Sequence, residues 1–153
     1  SMAELSRELM ELINGVPLCY LATASRDGVP DVAPVATAVA VDANTIVMAV
    51  TAQGKSASNI RENPSAALVA HSAAPTRMQA SLNSISRVLG AQFKGRAIIL
   101  TSGDAHEQAR RRTAESLGPE ARDTFDATVV LRVDEVFALV PLVPGSRDGS
   151  PVP

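Results

Sequence analysis

Tryptophan is absent from this chain, and its 153 residues include one cysteine, Cys19, and two histidines, His71 and His106. A lone cysteine excludes an intrachain disulfide and any metal cluster built on cysteine. Cys19 lies in an apolar, strand-like stretch with no cation beside it to lower its pKa, so it reads as a buried, inert thiol. Neither histidine sits in a Ser or Cys nucleophile motif, and one histidine without a spaced partner defines neither a general base nor a metal site. Both read as structural or solvent-exposed.

Charge of one sign is also lacking. A formal net charge of −2 and a pI near 5.6 argue against general binding to nucleic acid or to acidic membranes. Long apolar runs are missing too: Val32 to Val41 contains Pro34 and Thr37 and has about half of the ~20 residues that a bilayer span needs. The N-terminal "SMAELSRELMEL" carries acids and lacks a signal peptide's apolar core, so the cytoplasm is the expected compartment.

What is present is enough apolar material, 46% of residues, for one domain with a real core. Leu5, Leu9, Leu12 and Ile13 fall at helical spacing before Gly15 and Pro17, which predicts an amphipathic helix over Met2 to Asn14. Three strands follow, roughly Leu18 to Ser25, Val29 to Val41 and Thr45 to Val50, joined by turns at "RDG" and "DAN". "GKSASNIRENP" then predicts a short helix, Ala57 to Glu62, with Ser56 as its N-cap and Asn63-Pro64 closing it. "SAALVAHS" is a fourth strand. Residues 73–92 are mixed in period and fit either a surface helix or a flap over a pocket. "FKGRAIILTS" is a fifth strand, and "DAHEQARRRTAESLG" a helix with Asp104 and Glu107 in a capping-box relation and Gly118 at its end. "ATVVLRVDEVFALVPL" is a long sixth strand in which Asp134-Glu135 marks a bulge. The tail, residues 143–153, has three prolines and two glycines and is expected to be disordered. Six strands joined mainly by tight turns favour an antiparallel barrel, with one domain over residues 1–142. A closed barrel would explain the scarcity of polar edge strands.

The carboxylates have local explanations. Asp27 and Asp31 flank a turn, Asp42 sits in another, and Asp104 caps a helix. Arg110, Arg111 and Arg112 fan out around their helix and read as a solvated face. The opening of the "GKSASNIRENP" helix is different. Lys55 brings a cation, Ser56 and Ser58 bring hydroxyls, and the helix start directs free N–H groups at the loop, as phosphate sites require. Thr51 adds another donor. Strand, turn and capped helix are nevertheless common without any ligand, so the segment alone leaves both readings open.

A larger pattern surrounds it. "YLATASRDGVPDVAPV", then "NTIVMAVTAQGKSASNIRENPSAALVA", then "FKGRAIIL" resemble, in order and spacing, the pyridoxamine 5′-phosphate oxidase-like FMN-binding split-barrel family. The turn at Asp27-Gly28, the strand start at Pro30-Asp31-Val32-Ala33-Pro34, and Lys55, Asn59, Arg61, Asn63 and Pro64 carry the likeness. Gly95-Arg96-Ala97 and the helix after it extend the likeness over roughly Leu5 to Leu142. The resemblance implies a homodimer of six-stranded antiparallel split barrels with FMN in two grooves at the interface. It implies Lys55 and Ser56 as cofactor contacts near the phosphate with Thr51 close by, Asn59 as a further cofactor-binding residue, the backbone around Val35 and Ala36 along the ring, and Gln92 as a candidate ring contact from the partner subunit.

The chain departs from true pyridoxamine phosphate oxidases on its second strand, "DVAPVATAVAV", which lacks their basic residues, so that activity is not expected. Only Tyr20, Phe93, Phe125 and Phe137 could stack on a ring. A bound flavin would itself carry the redox chemistry, so a missing acid/base pair is no objection. The leading expectation is a flavin-dependent oxidoreductase acting on a small molecule, with no catalytic side chain assigned. The alternatives are a deazaflavin, or haem with His71 as its ligand, or a non-enzymatic flavin-binding dimer.

Overall fold

The computed structural model describes residues 4–72, 90–139 and 150–151. Helix α1 (Arg7–Gly15) begins five residues later than the periodicity predicts, because Ser6 is its cap. Ser6 holds extended backbone and its hydroxyl accepts the Leu9 N–H at 3.2 Å, satisfying a donor that the helix leaves open. Leu9 and Ile13 are buried and fix the helix to the sheet.

The strands are β1 (Cys19–Ala24), β2 (Pro30–Val35), β3 (Val39–Asp42), β4 (Thr45–Val50), β5 (Ser65–His71), β6 (Gly90–Leu100), β7 (Ala127–Leu139) and the short β8 (Ser150–Pro151). They form one antiparallel sheet in the order β2-β1-β5-β6-β7-β4-β3, with β8 on β7. The architecture is therefore mainly β and antiparallel with flanking helices, as the residues predict. Two details differ. The expected second strand is two, β2 and β3, interrupted at Ala36 to Ala38, and the hydrogen-bonded ladder ends at those two strands instead of closing. Thr37 shows why: its hydroxyl accepts the Ala49 N–H at 2.8 Å, so this stretch bonds to β4 through a side chain, out of the ladder.

β4 is buried along its whole length, whereas β5 alternates between the core and the outside. The core includes Leu21, Leu68, Phe93, Ile46, Met48 and Leu131. At the centre, β6 and β7 shift register: Lys94 pairs with Glu135 but Gly95 with Val133. Asp134 is thus the extra residue of a bulge, in the place where the Asp-Glu pair predicted one. A Cβ on Gly95 would lie 1.8 Å from the Arg132 carbonyl oxygen.

Helix α2 (Lys55–Glu62) follows β4, while α3 (Asp104–Leu117) and α4 (Pro119–Thr124) lie between β6 and β7. The expected caps move by a residue or two. α2 is capped by Gly54 and α3 by Gly103, neither with a side-chain bond. Asp104 is the first residue inside α3, and Gly118 ends that helix at φ 99°. α4 was not expected. Residues 73–89 and most of the tail lie outside the described residues, but Gly90, Ala91 and Gln92 already belong to β6.

Candidate functional site

The interrupted strand opens a cleft. β3 pairs with β4 only as far as Val47, so the rest of β4 faces the free edge of β2. The cleft between them has a volume of about 350 Å3. β2 contributes Asp31 to Val35, β4 and its end contribute Ala49 to Thr51, and α2 contributes Gly54, Lys55 and Ser56; Phe125 closes one side.

Local hydrogen bonds shape the α2 end of the cleft. The Gly54 N–H bonds to the Thr51 carbonyl at 2.9 Å, and the first helical bond runs from the Ser58 N–H to the Gly54 carbonyl at 3.1 Å. The amides of Lys55, Ser56 and Ala57 therefore have no partner within the helix. Arg61 Nη1 donates to the Ala52 carbonyl at 2.9 Å and Asp126 accepts the Ala52 N–H at 2.8 Å, which fixes the loop. Lys55 is exposed, Ser56 is buried, and neither side chain has a polar partner among the described residues. A cation, a hydroxyl and the positive end of a helix meet at one cleft, the elements from which anion sites are commonly built.

Of the residues singled out from the sequence, Val35, Thr51, Lys55 and Ser56 meet in this cleft. Thr51 is not the donor it promised to be, because its hydroxyl already donates to the Thr124 carbonyl at 3.2 Å. Asn59 does not line the cleft. It is 1% exposed, and its Nδ2 donates to Thr23 Oγ1 at 3.0 Å, tying α2 to β1. Asn59→Ala leaves the Thr23 hydroxyl short of a partner in the core, an expected loss of about 1–3 kcal/mol of stability in urea unfolding. Gln92 lies on β6, opposite Val69 and Phe137 and away from the cleft of its own chain.

Ala36 lines a second cleft, of about 420 Å3, beyond the end of β2. Asn14, Thr37, Arg112 and Ser116 are its polar residues. The arginine cluster is therefore not a uniform solvated face: Arg112 opens on this cleft, while Arg110 reaches Asp123 at 3.3 Å and Glu107 at 3.8 Å. Asp31 and Arg112 were both missed because each has an ordinary local explanation, and only the strand register and helix packing place them.

The remaining candidates separate clearly. Burial pushes the Cys19 thiol up to about 11, so it stays protonated and unreactive near neutral pH. Iodoacetamide at pH 8 is expected to modify Cys19 only after denaturation, as mass spectrometry would show. His106 is 3% exposed, with Nδ1 2.9 Å from Thr128 Oγ1, a structural contact that docks α3 on β7. His71 is exposed, its ring parallel to Tyr20 with centroids 6.0 Å apart. Its Nδ1 lies 2.9 Å from the Ser72 carbonyl. A carbonyl only accepts, so Nδ1 is the donor, and in the neutral ring the lone pair is on Nε2. Among the described residues no helix is long and apolar enough to cross a membrane.

Comparison with known proteins agrees with this architecture. HupZ of Group A Streptococcus superposes with a TM-score of 0.69 at 23% identity, covering 95% of this chain and 98% of its own. An FMN-binding protein from Syntrophomonas wolfei gives 0.68 at 16%, covering 89% and 86%. The heme storage protein HutZ of Vibrio cholerae gives 0.63 at 17%, covering 88% and 93%. At these identities they speak for the fold alone. No curated protein sequence matches. The family model for pyridoxamine 5′-phosphate oxidase matches residues 5–139, nearly the whole of the sheet and its helices, and the chain belongs to that family.

Proposed function

We propose that this protein binds FMN through the cleft between β2 and β4 and acts as a flavin-dependent oxidoreductase on a small molecule. One observation carries the reading: Lys55, the Ser56 hydroxyl and the open amides of α2 share one cleft and lack partners of their own. A phosphate supplies the acceptors that all of them need. The solved FMN-binding relative from Syntrophomonas wolfei supports the choice of FMN among phosphorylated ligands.

A bound flavin would supply hydride and electron transfer; this chain's residues bind and orient it. Lys55 and Ser56 hold the phosphate. Val35 and the turn at Ala36 lead from that cleft to the second, where Arg112 and Ser116 offer a cation and a hydroxyl to an anionic group of a substrate. The second strand offers no base beside the phosphate, which speaks against pyridoxamine phosphate as that substrate. Fluorescence titration with FMN tests the reading. Quenching with saturation is expected, and free-flavin emission at every protein concentration would remove it.

We further propose a homodimer. The outer face of the sheet leaves Tyr20, Val32, Val69 and Ile98 exposed on adjoining strands, a surface suited to a second copy. Gln92 lies on that face and could meet the partner's flavin. Sedimentation equilibrium giving twice 15.9 kDa is the expected result.

A second reading has one observation in its favour. The His71 tautomer leaves Nε2 as a ligand on an apolar face beside Tyr20, and the heme storage protein HutZ shares the fold. It ranks below FMN because it leaves the Lys55 cleft unused. On this reading hemin gives a shifted Soret band that His71→Ala abolishes, while FMN binding is unchanged in the variant.

A further inference from the structure

Asp31 was expected to serve its turn, yet its carboxylate has no hydrogen bond or ion pair among the described residues. Backbone register explains its position. Asp31 pairs with Thr23, and Ala33 and Val35 pair with Leu21 and Cys19, so Asp31 lies on the strand face that turns inward. There it is half-buried and lines the same cleft as Lys55. The two opposite charges do not satisfy each other: no ion pair joins them.

A bare phosphate would satisfy Lys55 and Ser56 but would meet Asp31 as a like charge. An uncharged ligand would leave Lys55 without an acceptor. A ligand that carries both an anion and hydroxyl donors would satisfy Lys55 and Asp31 together. Resting on the flavin reading, we infer that Asp31 is the acceptor for hydroxyl groups of the ligand's polyol chain, the ribityl chain of FMN. It thereby selects phosphorylated polyols over free phosphate.

A hydroxyl bonded to a carboxylate is among the stronger neutral-to-charged contacts, so its loss is measurable. Wild type, Asp31→Asn and Asp31→Ala would each be titrated with FMN by fluorescence, and with inorganic phosphate as competitor. Asp31→Ala is expected to weaken FMN binding about tenfold while phosphate competes as well as before or better. Asp31→Asn, whose amide oxygen still accepts, is expected to fall between. Unchanged or tighter FMN binding in Asp31→Ala would overturn the inference and make Asp31 a simple repulsive charge. Weakening of FMN and phosphate by the same factor would also overturn it, as general damage to the cleft. Wild type that takes up no FMN would overturn the flavin reading and this inference with it, a result distinguishable because it appears before any substitution.

Discussion

Replacing Lys55 by alanine is expected to weaken FMN binding about tenfold, ~1.4 kcal/mol. Among the described residues, Lys55 is the one lysine or arginine lining the β2–β4 cleft. A charge-assisted contact to phosphate contributes roughly 1.5–3 kcal/mol when well enclosed. Lys55 is exposed in the free protein, so water and salt screen part of that, and the lower end applies. Lys55→Arg keeps the charge and should retain most of the affinity. The unfolding temperature should not move, because the lysine side chain makes no ion pair among the described residues. Fluorescence titration at two salt concentrations separates the terms: the wild-type advantage should shrink as ionic strength rises.

Gly95→Ala should be far more damaging, although it adds one methyl group and lies outside the β2–β4 cleft. Its Cβ would meet the Arg132 carbonyl oxygen at 1.8 Å and the Arg132 carbonyl carbon at 2.8 Å. Both are backbone, so no rotamer change relieves the overlap. β6 would have to move away from β7 at the bulge, while on its other side Ala66 pairs with Gly95. Overpacking costs about 1–3 kcal/mol in cores that can relax; here about 3 kcal/mol or more is expected. At roughly 2–4 °C per kcal/mol for a chain of this size, the midpoint of thermal unfolding should fall by about 10 °C. Gly15→Ala is the control. Its added Cβ has no neighbour within 4 Å, and its midpoint should stay near that of wild type.

These two positions differ in how far the sequence reveals them. Lys55 drew attention through its neighbours, a strand end, a glycine and a serine before a helix, a setting that suits a phosphate but is also common without one. The sheet was legible from its patterns: β5 alternates, and β4 is a short buried run rich in β-branched residues between turn signals, which together favour strands. The bulge, too, was visible, in an Asp-Glu pair that no buried strand would carry without a break. Gly95 gave no such signal, because the atom that makes it indispensable belongs to Arg132, on another strand.

The failures share that cause. Val32 to Val41 is uniformly small and apolar, so nothing local marks where β2 ends and β3 begins. The break comes from Thr37 bonding to β4 and from β2 following β1 while β3 follows β4. That break is also what opens the cleft, so the site's existence was less legible than its residues. Asn59 was selected by the family pattern, and in the fold it joins α2 to Thr23. Asp31 looked like an ordinary turn residue, and only the register of β1 and β2 turns it inward.

The most direct test of the cleft is a residue-resolved one. At 15.9 kDa per chain, the protein suits 15N–1H NMR, with amide shifts followed as FMN is added. The expected result is that Gly54, Lys55, Ser56 and Ala57 move most, together with Asp31 to Val35, because phosphate bonds to the open amides and the chain lies along β2. Shifts that leave the start of α2 untouched, or that cluster around His71 and Tyr20 instead, would contradict a phosphate cradle between β2 and β4.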